Sequence, residues 1–131
     1  MDLSPLKQTL CGLDHSITCA YLFGSQARGD VGHSSDVDIA ILLTQVPPPT
    51  LAGLRFDITA TLENVVRRPV DLVVLNNAPV DLIHRVLRDG ILIFERDRAA
   101  RIRFEVKARN EYFDLLPFLQ RYRHENRERT A

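Results

Sequence analysis

The chain has 131 residues, with 17 Lys+Arg against 17 Asp+Glu and an apolar fraction of 45%. That length predicts one domain, residues 1–131, and excludes a second, separately folded substrate-binding domain. The apolar content excludes disorder along the whole chain, and the zero net charge excludes a general nucleic-acid-coating protein, so no direct nucleic-acid binding is expected.

In chain order, Ser4 as N-cap and Pro5 at the first helical position predict a short helix over residues 4–12. Cys11 and Cys19 stand in no CxxC or zinc-type spacing, and both are expected as buried thiols in a reducing cytoplasm. The opening segment MDLSPLKQTL has no basic stretch followed by an apolar one, which predicts a cytoplasmic location. No apolar run reaches the roughly 18 residues of a membrane span, so no membrane partner is expected.

Ile17 to Phe23 predicts a strand that Gly24 breaks, and Asp36 to Leu43 (DVDIAILL) predicts a second, largely buried strand. Pro47, Pro48 and Pro49 form an extended link to a helix capped by Thr50, along which Leu51, Leu54, Ile58, Leu62 and Val65 recur at steps of three and four. Pro69 opens a third strand, Val70 to Leu75. A helix over 79–89 follows, stopped by Gly90, and then a short strand from Ile91 to Phe94. A last helix starts near Asp97. Pro117 is expected to kink or restart it, and the residues from about Arg123 to fray.

The aromatics Phe104, Tyr112, Phe113, Phe118 and Tyr122 are expected to pack that helix on the core, the alternative being that part of the stripe docks a partner, since a domain of this size cannot bury every face of a long helix, and His84 is read as structural. The zero net charge hides a polarity: residues 1–95 carry 11 acids and 7 bases, residues 96–131 carry 6 acids and 10 bases. The order α-β-β-α-β-α-β-α predicts an α+β fold, a small mixed sheet flanked by helices. The loop between the first two strands is too short for a crossover helix, so these strands are expected to be antiparallel neighbours.

The segment that carries chemistry is YLFGSQARGDVGHSSDVDIAILL. A strand ends in Gly24-Ser25, ten residues follow, and the next strand opens with Asp36-Val37-Asp38. Side chains alternate along a strand, so Asp36 and Asp38 share a face about 7 Å apart. Two carboxylates side by side repel each other unless a divalent cation sits between them, and hard oxygen donors select Mg²⁺, with Mn²⁺ as the alternative. Asp71, inside the apolar strand PVDLVVL, joins them if the third strand pairs beside the second. Gly24 and Ser25 supply the complement: glycine lets the backbone approach a phosphate, and amides at the start of a helical turn bind anionic oxygens. Arg28 divides evenly between contacting a triphosphate and pairing with a surface acid such as Asp30.

Gly-Ser, ten residues, Asp-x-Asp resembles the signature of the DNA polymerase β-like nucleotidyltransferase superfamily, with Gly24, Ser25, Asp36 and Asp38 at the matching positions and Asp71 at that of the third carboxylate. GSQARGDVGHSSDVDIAIL resembles the minimal nucleotidyltransferases, and RPVDLVVLNNAPVDLIHRVLRDGILIFERD with FEVKARNEYFDLLPFL resembles the MntA-type antitoxins. The likeness spans residues 18–122. It implies a nucleotidyltransferase fold and a HepT-type HEPN ribonuclease toxin as partner, neutralised by transfer of AMP from ATP to one of its tyrosines. It further implies Mg²⁺ on Asp36, Asp38 and Asp71, with Gly24 and Ser25 on the triphosphate. The alternatives are a small-molecule acceptor, or neutralisation by occlusion without catalysis.

Overall fold

The computed structural model describes residues 2–13, 16–27, 36–45 and 51–130, with the side chains of Ser25, Gln26, Leu51 and residues 127–130 left aside. The expectations placed on Arg28, Asp30 and Pro47 to Thr50 lie outside the described residues.

The elements are α1 (Ser4–Gly12), β1 (Ile17–Phe23), α2 (Gly24–Ala27), β2 (Val37–Leu43), α3 (Leu51–Val66), β3 (Val70–Val74), α4 (Val80–Asp89), β4 (Ile91–Glu95) and α5 (Arg98–Thr130). A 3-10 turn, Leu75–Asn77, links β3 to α4. The four strands form one mixed sheet in the order β3-β2-β1-β4. β1 lies antiparallel to β2 and to β4, and β2 lies parallel to β3. The fold is α+β, as the element order predicts.

β1 and β2 are apolar on both faces because both faces are covered. On one side Leu22, Val37, Ile39, Ile41, Leu72 and Val74 pack with Leu6 and Leu10 of α1 and Ile58 and Leu62 of α3. On the other, Cys19, Tyr21, Ala40 and Leu42 pack with Ile83 and Val86 of α4 and Ala108 of α5.

The β2–β3 pair is pinned at both ends. At the start, Val37 N–H donates to the Pro69 carbonyl (2.9 Å) and Val70 N–H to Glu63 Oε1 (3.1 Å). At the far end, the Asn76 amide both accepts from Leu43 N–H and donates to its carbonyl, each at 2.9 Å. Arg55 of α3 donates to the Leu72 carbonyl.

Polar groups fix α5 to the sheet. The Tyr21 hydroxyl donates to Glu105 Oε1 (2.7 Å), Glu105 Oε2 meets Arg101 Nη1 (3.0 Å), and Arg101 Nε lies 3.6 Å from Glu95. Burial, and the Glu105 carboxylate that accepts its proton, push the Tyr21 phenol far above its ordinary range. Burial likewise pushes the Cys19 thiol up to about 11.

Several expectations need correction. Ser4 does not cap α1; it is inside the helix, and Asp2 Oδ1 accepts the Ser4 N–H at 3.0 Å. Cys11 is exposed, because Leu6 and Leu10 hold the buried stripe of α1 and Cys11 sits a step of about 100° round from it. Pro117 does not restart the last helix: α5 runs through it to Thr130. The carbonyl that Pro117 deprives of a donor belongs to Phe113, an exposed residue. The aromatic stripe is only partly core: Phe104 packs there, while Phe113, Phe118 and Tyr122 are exposed. A helix of 33 residues is about 50 Å long and outruns a sheet of five- to seven-residue strands. Among the described residues no helix is long and apolar enough to cross a membrane.

Candidate active site

The site forms where β1 ends and β2 and β3 begin. Phe23, the last residue of β1, pairs with Asp38. Gly24 then turns the chain at φ +71° into the single turn of α2. That conformation favours glycine, and the space demands it as well: a Cβ at this position would overlap Asp38 Oδ2. The backbone of the Gly-Ser turn therefore lies directly against the Asp38 carboxyl group.

Asp38 and Asp71 are register partners in the parallel β2–β3 ladder. Alternation decides which way they face. Val37 and Ile39 on β2, and Val70 and Leu72 on β3, enter the layer beneath α1 and α3. Asp38 and Asp71 consequently share the opposite face, in phase with Ala40 and Val73, which pack towards α4 and α5. Asp36 precedes the strand by one residue and keeps the phase of Asp38. Asp36 and Asp71 are exposed and Asp38 is half-buried. Asp38 and Asp71 thus belong to one edge of one face, with Gly24 beside Asp38 and Asp36 one residue before the strand.

α4 ends at the same edge. Its cap, Gly90, has the Val86 carbonyl and the Leu22 carbonyl so near that a side chain there would meet both. His84 of α4 stacks on Tyr112 of α5 with ring centres 3.6 Å apart and planes 1° from parallel. This supports the structural reading of His84.

Chemically the edge offers hard oxygen donors and a glycine turn. Such donors suit Mg²⁺, which usually takes one or two protein carboxylates and completes its shell with phosphate and water. Among the described residues, no three His, Cys, Asp or Glu side chains stand together as a ready-made metal cluster. The Ser25 side chain and Arg28 lie outside what the structure describes.

Glu63, Asn76 and Arg55 hold β3 in the register that brings Asp71 to Asp38, and they went unnoticed in the sequence. Glu63 occupies an ordinary position in an amphipathic helix, and nothing local marks it as the acceptor for Val70.

The family model described as polymerase beta, nucleotidyltransferase, matches residues 6–99. The chain belongs to the polymerase-beta nucleotidyltransferase family. Among solved structures, this nucleotidyltransferase is similar to a chain of a toxin–antitoxin complex with AMP-PNP, at TM-score 0.80 and 24% identity over 95% of this chain and 98% of that one. It is similar to a chain of the complex of a tri-AMPylated Shewanella oneidensis HEPN toxin with MNT antitoxin, at TM-score 0.72 and 23% identity over 94% and 93%. It is also similar to a chain of the toxin–antitoxin MntA–HepT, at TM-score 0.72 and 23% identity over 94% of each. At these identities the likeness establishes a common fold. No curated protein sequence matches the nucleotidyltransferase.

Proposed function

We propose that this nucleotidyltransferase is an antitoxin that transfers AMP from ATP to a tyrosine of a cognate HEPN ribonuclease toxin and thereby neutralises it. The observation that carries the reading is the in-register pair Asp38 and Asp71 beside the positive-φ Gly24. Its fold is also that of chains in a complex with AMP-PNP and in a complex with an AMPylated HEPN toxin.

In this reading the Gly24-Ser25 turn cradles the triphosphate through backbone amides, and Arg28 adds positive charge to it. Asp36, Asp38 and Asp71 are the residues that would hold Mg²⁺, which when bound would neutralise the phosphates and favour the ionised hydroxyl. Asp71, the exposed member of the register pair, takes the proton of the tyrosine hydroxyl. The phenolic oxygen bonds to the α-phosphorus, the bond from that phosphorus to the β-phosphate bridging oxygen breaks, and pyrophosphate leaves. Asp36 and Asp71 are exposed, which suits a residue presented on another protein. ATP as substrate and free thiols fit the cytoplasm.

The test incubates the chain with labelled ATP, Mg²⁺ and the HEPN-type product of the adjacent gene, and follows mass gain of AMP on that protein. The expected result is transfer by the native chain and none by Asp36→Ala/Asp38→Ala. No transfer by the native chain overturns the reading. Equal transfer by the variant overturns the site. Neutralisation that survives the substitution points to occlusion instead.

A further inference from the structure

β3 is an edge strand: the order β3-β2-β1-β4 gives it a ladder on one side only. Val37 N–H donates to the Pro69 carbonyl, and Val37 is the register partner of Val70. In a parallel ladder alternate residues of a strand turn their N–H and C=O towards the same neighbour. The backbone polar groups of Pro69, Asp71 and Val73 therefore face β2. Those of Val70 and Leu72 point outwards, where no further strand lies among the described residues. Asp38 differs, because β2 has a ladder on both sides.

Two of these outward groups, one on each side of Asp71, are taken by α3. Glu63 Oε1 accepts from Val70 N–H at 3.1 Å, and Arg55 donates to the Leu72 carbonyl. Arg55 and Glu63 are eight residues apart, about two helical turns, so one helix reaches one strand twice. The two side chains stand where a neighbouring strand would stand, and they bracket Asp71. Pro69 has no N–H, so Val70 supplies the first backbone donor of the strand. Val70 is buried and Glu63 half-buried, a setting in which a donor without a partner is costly.

We propose that Glu63, with Arg55, is a positioning residue for the AMP transfer, acting through Asp71, whose place relative to Asp38 it sets. This rests on the proposed reading of the carboxylate edge. Asp38 is fixed by two ladders, whereas Asp71 moves with β3. A strand held on one side opens from its end, and Asp71 is the second residue of five. The clamp from α3 removes that freedom on both sides of the carboxylate. Groups that orient a metal-holding side chain are worth about ten- to a hundredfold in metal affinity or activity. A merely structural role would be to close the open edge against another strand, and its loss would lower stability alone.

The test compares Glu63→Leu, Glu63→Gln, Arg55→Ala and, as a core change on the opposite edge strand, Ile93→Val. Each is read by urea unfolding and by kcat and KM for ATP, at saturating Mg²⁺, in labelled transfer to the HEPN-type product of the adjacent gene. Each is also read by Mn²⁺ affinity, from electron paramagnetic resonance with a non-hydrolysable ATP analogue present. Glu63→Leu is expected to lower kcat and Mn²⁺ affinity about ten- to a hundredfold and to leave KM for ATP nearly unchanged. Glu63→Gln keeps an oxygen acceptor for Val70 N–H and is expected to restore both. Ile93→Val is expected to lose stability and keep both. Arg55→Ala, at an exposed position, is expected at the lower end of the same range, and it decides should Glu63→Leu not fold. Clamp variants that lose only stability, a Gln variant that rescues nothing, or an Ile93→Val that loses as much as they do overturns the proposal. A native chain that binds Mn²⁺ without transferring AMP overturns the proposed function, and the Mn²⁺ comparison then decides the clamp. A native chain that does neither overturns both.

Discussion

Gly24 and Asp38 are in such close contact that one added methyl group at Gly24 would occupy the space of the Asp38 carboxylate. Two distant parts of the sequence signature therefore constrain each other. Gly24→Ala is expected to displace the Asp38 carboxyl and strain the turn at once. A shift of about 1 Å in a reacting site costs on the order of a hundredfold in rate. AMP transfer should fall by that much or more while the melting temperature drops only slightly, since the turn is at the edge of the core. Labelled transfer and a thermal melt on the same sample check this, and near-native transfer would refute the packing argument.

Tyr21→Phe should destabilise the chain although it removes one oxygen. Glu105 would keep its buried position beside Arg101 and lose its phenol donor, and an unsatisfied buried partner costs about 1–3 kcal/mol. Urea unfolding measures it. A change below about 0.5 kcal/mol would mean that Arg101 alone satisfies Glu105.

The two thiols should differ in reactivity and in their effect on pH stability. Iodoacetamide is expected to label exposed Cys11 and spare Cys19 until denaturant is added. Burial lifts the Cys19 thiol from 9.0 to about 11, so the folded chain holds that proton more tightly than the unfolded one. The stabilisation is full below about pH 9 and is lost as pH climbs towards 11, on the order of 2 kcal/mol. Cys19→Ala should flatten that part of the alkaline stability profile; an unchanged profile would assign the loss elsewhere, with Tyr21 the next group to examine.

Arg67 closes α3 at φ 56°, a left-handed conformation in a side-chain-bearing residue. It is exposed, so little is lost with its side chain. Arg67→Gly is expected to stabilise the chain by about 0.5–1 kcal/mol, read as a rise in denaturation midpoint. A fall would show that the Arg67 side chain matters more than its backbone.

What the sequence disclosed follows from how local each determinant is. β1 is read to the residue, because Gly24 marks its end and a run apolar but for Thr18 marks its length. The antiparallel β1–β2 pairing follows from loop length alone. The carboxylate edge is legible because alternation is a strict rule and Asp71 interrupts an apolar strand. The course of α5 past Pro117 is not legible, because a proline inside a helix reads locally as a kink or a stop. The exposure of Phe113, Phe118 and Tyr122 is equally hidden, since it depends on where the sheet stops. Glu63 and Asn76 act across the fold, on Val70 and Leu43, and no spacing announces them.

The in-register pairing of β2 with β3 has one more consequence. A slip of β3 by a single residue would turn Asp71 into the apolar layer under α1 and α3 and lift Val70 and Leu72 out of it. Misregistered chains are therefore penalised twice, by a charge in the oil and by greasy residues in water. The alternation that builds the core thus proofreads the distance between the two acids. If the proposed activity holds, transfer and sheet integrity should vanish together as the chain unfolds.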